Sequence, residues 1–383
     1  MSNEPVLIEA KRAPALRSSG QPVPKGEVVI ACYDTVAPSL EAELEDLYHH
    51  INSSLCHHAV ARRARNAYAY VARRGDQPLA VFLFQREDRS IEVFNEMMQI
   101  PPEEIERFAN YIFSRFPSAA RISFSKIGTD TGALSRPWQQ YGHAEDIVVS
   151  LPDTVDTYLS HLGAKTRRNI RYQMKAIVAD FPGFSFDTYE NGAIAEHHVA
   201  GLIDLKKANM NEKRIKFGIT PQEASWMTEL ARTNGLLVLA LLDGKVCGGS
   251  LSFRLGEHYF ALLNGYDTRF AKYSLGMLCC YLAMTEKIQR GAREAHLLWG
   301  RNPYKFKLLG VARDVANLDI YRSRLQYCRY GRRAFRNALD NFLQQQKRML
   351  LENEQRSGFL PSLLGRVVKL LRNLKRSNFR PVN

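Results

Sequence analysis

Short apolar runs and period-two alternations, separated by turn dipeptides, recur twice in one order along the chain. Strand, turn, strand, strand, helix, strand is read first over 69–126 and again over 236–298, with Gly75-Asp76 and Asp243-Gly244 as the corresponding turns. Ahead of the first copy, EVVIACY at 27–33 predicts a strand, and Leu40, Leu44, Leu47 and Ile51 share one face of a helix over 38–52. Within that copy, 69–73, 78–85, 91–94 and 121–126 read as strands. A helix over 101–116 starts on proline with Glu103 and Glu104 in its first turn, where the helix dipole favours carboxylates.

The second half begins with a strand at 145–151 and a helix that Asp153 can cap. A longer helix follows over 164–179. Ile170, Met174, Ile177 and Val178 mark its buried side, while Arg167, Arg168, Arg171 and Lys175 share another. That basic side is either a solvated face or a clamp for phosphate oxygens, which arginine forks bind in pairs. After a strand at 184–189 come helices at 194–210 and 221–233; the connector NEKRIKFGIT between them reads as a mobile lid over an acceptor. A hairpin, 236–242 and 245–254, leads into the stretch that organises the rest.

That stretch, 251–304, reads strand, strand, glycine-containing loop, helix, strand, loop. Tyr273-Ser274-Leu275-Gly276 opens a helix on which Leu278, Tyr281, Leu282 and Thr285 recur at helical spacing. The first amides of a helix have no internal partner and lie at the positive end of its dipole, so Tyr273, Ser274, Leu275, Gly276 and Met277 form a candidate phosphate site. The same pattern also serves as an ordinary turn. In the first copy the corresponding loop, EMMQIPPEEI, has no glycine, lacks two amide protons at its prolines and carries two carboxylates, so it should repel a diphosphate.

These elements resemble the acyl-CoA core of the GNAT acyltransferases. YDTRFAKYSLGMLCCYLAMTEKIQRGAREAHLLWGRNPYKFKLLG resembles, more narrowly, the acetyltransferases associated with cellulose or exopolysaccharide biosynthesis, through Tyr266-Asp267, Ser274-Leu275-Gly276, Gly291, Gly300 and Tyr304-Lys305. Leucine stands at 275 where that group usually has proline, and Asn302-Pro303 where an acidic residue is common. The group is distantly similar to the Fem-type aminoacyltransferases, which use aminoacyl-tRNA.

The resemblance implies an α/β (α+β) fold of tandem GNAT-like domains with largely antiparallel sheets flanked by helices. On this reading 27–150 is a degenerate copy, 151–325 binds acetyl-CoA or another acyl-CoA, and 326–383 is a basic helical tail. It implies a glycan- or lipid-linked or small-molecule acceptor, with Arg167, Arg168 and Arg171 as substrate-binding residues. Asp267, or Tyr266 through water, is the candidate base, Tyr304 the acid for the leaving thiolate and Lys305 a phosphate or acceptor contact. Their structural alternatives are a turn residue, a packed aromatic and a solvated lysine. A Fem-like aminoacyltransferase and a non-catalytic membrane-associated adaptor are the competing functions.

Charge changes the picture only once it is located. The net charge is +14, yet from Tyr321 onward 15 Lys and Arg face 3 Asp and Glu, so the basic character belongs to the C-terminal tail. There Leu360, Leu363, Leu364, Val367, Val368 and Leu371 line one face of a cationic helix. Residues 358–383 therefore suit an anionic membrane surface or a packed helix, with nucleic acid third because aromatic residues interleave sparsely. No apolar run reaches the roughly 18 residues of a membrane span, and 1–26, with four prolines, reads as a disordered leader, which together predict a cytoplasmic protein that can sit peripherally at the inner membrane face. Six scattered cysteines without a CxxC predict free thiols, with Cys279 and Cys280 as core residues rather than nucleophiles. The run His49-His50 and Cys56-His57-His58 matches no standard zinc spacing, and no metal is expected.

Overall fold

A computed structural model describes residues 8–9, 26–60, 66–212 and 217–341. The leader apart from 8–9 and 26, the tail helix predicted at 360–375 and the centre of the 211–220 connector lie outside the described residues. The chain divides into two units, Met1–Gln326 and Tyr327–Asn383; within the second, 331–341 is helical.

In chain order the first unit contains β1 (Ile8–Glu9), β2 (Val28–Tyr33), α1 (Glu41–Tyr48), α2 (Leu55–Val60), β3 (Tyr68–Arg74), β4 (Gln77–Glu87), β5 (Ser90–Glu96), α3 (Pro102–Arg115), β6 (Arg121–Ile127) and β7 (Trp138–Ser150). There follow α4 (Val155–His161), α5 (Ala164–Asp180), β8 (Phe184–Glu190), α6 (Glu196–Glu212), α7 (Pro221–Asn234), β9 (Gly235–Leu242), β10 (Lys245–Leu255), β11 (His258–Tyr266), α8 (Leu275–Gln289), β12 (Glu294–His296), α9 (Pro303–Lys307) and β13 (Val311–Tyr321).

The mixed sheet flanked by helices is the fold class that the sequence predicts. Its strands run in the order β1-β2-β3-β4-β5-β6-β13-β7-β12-β11-β10-β9-β8, and all pairs are antiparallel except β5 with β6 and β11 with β12. The two copies thus share one sheet and exchange strands. β13, the last strand among the described residues, lies beside β6 of the first copy, and β7, which follows β6, lies beside β12 of the second.

Both faces of the sheet are covered, so the central strands are apolar on both sides. In β4, Ala80, Val81, Phe82, Leu83 and Phe84 are all buried. Phe108 of α3 packs edge-on against Phe82 and Phe124, while Leu40 and Leu44 meet Val71 and Leu83 on the opposite face. In the second copy Leu278, Met284 and Ile288 of α8 cover one face, and Val199 and Leu202 of α6 with Ala231 of α7 cover the other. At the exchange seam, Arg121 of β6 donates to both carboxylate oxygens of the fully buried Asp319 of β13, at 3.1 and 3.0 Å.

Four elements differ from expectation. The helix expected over 38–52 ends at Tyr48 because His49 is left-handed (φ 46°), and a 3-10 turn at Ile51–Ser53 follows. The cap of α4 is Thr154, whose hydroxyl accepts from the Thr157 amide, rather than Asp153. β7 starts at Trp138, seven residues before the expected start at 145, and β13 carries no clear alternation in sequence.

Candidate active site

The start of α8 is built by two turns. Asp267 caps the 3-10 turn Thr268–Tyr273 by accepting from the Arg269 amide at 3.0 Å. Ser274 then turns left-handed (φ 54°), donates its amide to Ala271 and accepts from the amides of Met277 and Leu278. Among the described residues, the amides of Leu275 and Gly276 have no main-chain partner and no side-chain cap. Gly276 lies against the ring of Tyr266, where a Cβ would stand 2.6 Å from Cδ1. Its carbonyl accepts from Asn264 at 3.2 Å.

Of the five residues expected at a phosphate, the structure therefore leaves two amides available, at 275 and 276. The side chains of Tyr273 and Leu275 are buried, and the Tyr273 hydroxyl donates to Asp180. The amide of Met277 is spent within the turn.

Below this helix end, β11 and β12 pair over only three positions, His258 with Glu294, Tyr259 with Ala295 and Phe260 with His296, and then separate. Lys305 is tied to the loop that follows β12. Its buried ammonium donates to the carbonyls of Leu297, Leu298 and Trp299 at 2.6, 3.1 and 2.8 Å, which uses all three protons. Burial lowers its pKa to about 8. Lys305 therefore holds the loop after β12 and has no donor left for a phosphate, contrary to the role expected from the sequence.

Tyr304, the preceding residue, shares a hydrogen bond with the Cys280 thiol, and burial pushes its hydroxyl well above the usual tyrosine range. The thiol is itself pushed up by burial and contacts Asn264, as a core cysteine should be. On β11 the register against β10 slips between Leu251 and Ser252, so Leu262 bulges out with no partner across the ladder.

Leu262 and the loop after β12 open onto a cavity of about 710 Å³, also lined by Ile51, Glu96, Lys126, Trp226 and Trp299. Lys126 pairs with Glu96 at 2.7 Å and lies 5.4 Å from the Trp299 ring centroid. Three non-glycine residues beside it, Met97, Lys126 and Leu298, hold left-handed backbones, a strain that accumulates where geometry is over-determined. Sequence reasoning missed these wall residues, since they come from both copies and meet only through the strand exchange.

The remaining expected site residues lie apart. Asp267 forms a surface pair with Arg269, at 2.9 and 2.6 Å, which lowers its pKa and makes it a weak base. Arg167 caps the end of α4 by donating to the carbonyls of Ser160 and Leu162 at 2.7 and 2.8 Å. Arg168 and Arg171 are exposed. His50 and His57 part company: His50 meets Phe260 and His296, whereas His57 packs on Trp226.

No curated protein matches this chain. Among solved structures it is similar to FemX, with 10% identity over 70% of this chain and 92% of that one, at a TM-score of 0.51, which is a likeness of fold. It is also similar to L-PGS from Bacillus licheniformis (12% identity, 76% and 94% coverage, TM-score 0.45). A third is a tandem GNAT protein from the clavulanic acid biosynthesis pathway (11% identity, 67% and 82% coverage, TM-score 0.36). Residues 164–306, less than half of the chain, match the family described as acetyltransferase (GNAT) domain.

Proposed function

We propose that the protein transfers an acyl group, acetyl in the simplest case, from acyl-CoA to an amine or hydroxyl of a cell-envelope or exopolysaccharide precursor. The observation that carries this reading is the pair of unpartnered amides at Leu275 and Gly276. They open a helix of 15 residues beside Asn264 and Tyr266, on the part of β11 beyond its pairing with β12. A diphosphate there gains two hydrogen bonds and the favourable end of the dipole. The thioester then extends into the gap where β11 and β12 separate, and the acceptor enters through the cavity beside Leu262 and Trp299.

In the reaction the acceptor lone pair attacks the thioester carbonyl carbon. We assign the oxyanion to the main-chain N–H at the Leu262 bulge, where the register slip leaves that residue unpaired in the ladder. The C–S bond breaks, the thiolate takes the Tyr304 hydroxyl proton, and the acceptor proton leaves through water toward Glu96 or Glu229, which line the cavity. Asp267 is not assigned as base because the Arg269 hydrogen bond lowers its basicity. The envelope acceptor is taken from the family resemblance alone.

The competing donor is aminoacyl-tRNA, favoured by the exposed Arg168, Arg171 and Lys175 on α5. Calorimetric titration with acetyl-CoA separates the two. A saturable heat supports the proposal; no heat, with charged-tRNA binding that falls steeply as salt rises, overturns it. Liposome binding before and after deletion of 358–383 tests the proposed membrane contact, which unchanged binding would refute.

A further inference from the structure

At the paired ends of β11 and β12, away from α8, three donor atoms face one another. His258 and Glu294 stand directly opposite across the strand pair, and His296, two residues beyond Glu294, shares its face of the sheet. His258 Nδ1 lies 3.3 Å from His296 Nε2 and 3.6 Å from Glu294 Oε2, and the latter two are 3.5 Å apart. A tetrahedral ion with bonds of about 2.0–2.1 Å needs its ligand atoms roughly 3.4 Å apart, so these distances match one face of such a shell. The group's side chains are 5–20% exposed, leaving the fourth position to solvent.

The surroundings prepare the same donors. His296 Nδ1 hydrogen-bonds the buried Asp146 carboxylate at 2.6 Å. An imidazole that gives its Nδ1 proton to a carboxylate presents the Nε2 lone pair outward, the arrangement that orients histidine on a metal. Phe260 stacks on the same ring at 4.4 Å between centroids, and His49 stacks on His258 at 5.1 Å, so both rings are held in place. Arg313 donates to Glu294 Oε2 at 2.8 Å and also contacts Oε1; it must yield Oε2 to an ion while keeping Oε1.

A neighbouring trio, His50, Asp146 and His296, is also close enough to share an ion. It is the poorer candidate, because His50 Nδ1 accepts from the Asn52 amide at 3.1 Å, which leaves the ring proton on the Nε2 that faces Asp146.

We infer that His258, Glu294 and His296 bind one divalent transition ion of the zinc class, with Asp146 as the carboxylate that orients His296. The ion fastens β11 to β12 at the end where they pair, opposite the gap assigned to the thioester. Neither the family match nor the acyl-transfer reading requires it.

The test uses the full-length chain, free of any tag, dialysed against chelator and then titrated with zinc chloride alone. Expected is uptake of one zinc per chain by elemental analysis, lost in H258Q and E294Q, weakened about 10–100-fold in D146N, and retained in H57Q. Wild-type protein loaded with cobalt serves where a variant does not fold: an intense tetrahedral visible spectrum with hyperfine-shifted signals from two imidazoles is expected. No zinc uptake by wild-type protein, uptake retained in H258Q, or an octahedral cobalt spectrum overturns the inference.

Discussion

The ring of Tyr266 occupies the space that a side chain on residue 276 would need, with Cδ1 and Cε1 at 2.6 and 2.9 Å from the position of a Cβ. Glycine at 276 is therefore a packing requirement as well as a way to keep the helix end open. Gly276→Ala should lower stability by about 1–3 kcal/mol through overpacking, despite alanine's better helix propensity. In Tyr266→Ala the same substitution should become neutral or stabilising. A double-mutant cycle by urea denaturation checks this, and additive effects would contradict it.

Tyr304 is assigned the proton for the leaving thiolate, and its raised pKa keeps that proton in place across neutral pH. Tyr304→Phe should lower kcat about 10²-fold or more with little change in KM for the donor. The lost bond to Cys280 should cost about 1 kcal/mol of stability. Steady-state rates with a thiol-release readout test the assignment; an unchanged kcat would remove Tyr304 from the mechanism.

Lys287, only 1% exposed on α8, has its pKa lowered to about 8 by burial. The unfolded chain keeps that lysine protonated to about 10.4. Between those values the unfolded state binds more protons, so stability should rise as pH increases from about 8 to about 10 and the penalty should be full below pH 8. Lys287→Met should remove up to about 3 kcal/mol of penalty at neutral pH and flatten the slope. Equal slopes for both proteins in chemical melts across pH 7.5–10.5 would contradict the shift.

At the seam where the copies exchange strands, Asp319→Asn leaves the Arg121 guanidinium buried with Glu92 as its remaining carboxylate. A loss of about 3–5 kcal/mol is expected, and one cooperative transition should remain because the sheet is continuous. Thermal unfolding with two probes checks both points; a loss under about 1 kcal/mol would mean the pair contributes little.

Local structure was legible wherever one interaction decides it. Gly75-Asp76 and Asp243-Gly244 both form the expected turns, with φ of 59° at Gly75 and 76° at Gly244, since those conformations favour glycine. α3 and α8 form where their start signals predict, α3 on its proline and α8 after Ser274. Hidden were features decided by partners distant in sequence. β13 reads VARDVANLDIY, with polar residues that become acceptable only because Asp319 meets Arg121 and Asn317 accepts from the Lys126 amide.

The site divides the same way. The start of α8 could be found from its glycine and helix signals, although the amides that remain free number two rather than five. Lys305 looked like a surface cation beside Tyr304. No local pattern announces that three carbonyls of one loop will take its protons. Glu96 and Trp226 carry no motif and reach the cavity only because both copies build one sheet.

The central claim is that the free amides of Leu275 and Gly276 hold the diphosphate of a thioester carrier. Parallel calorimetric titrations with acetyl-CoA and with S-acetylpantetheine, which keeps the thioester but lacks the diphosphate, test it most directly. Saturable binding of acetyl-CoA that weakens at least tenfold, about 1.4 kcal/mol, without the diphosphate is predicted. Equal affinity for the two compounds, or no binding of either, would contradict it.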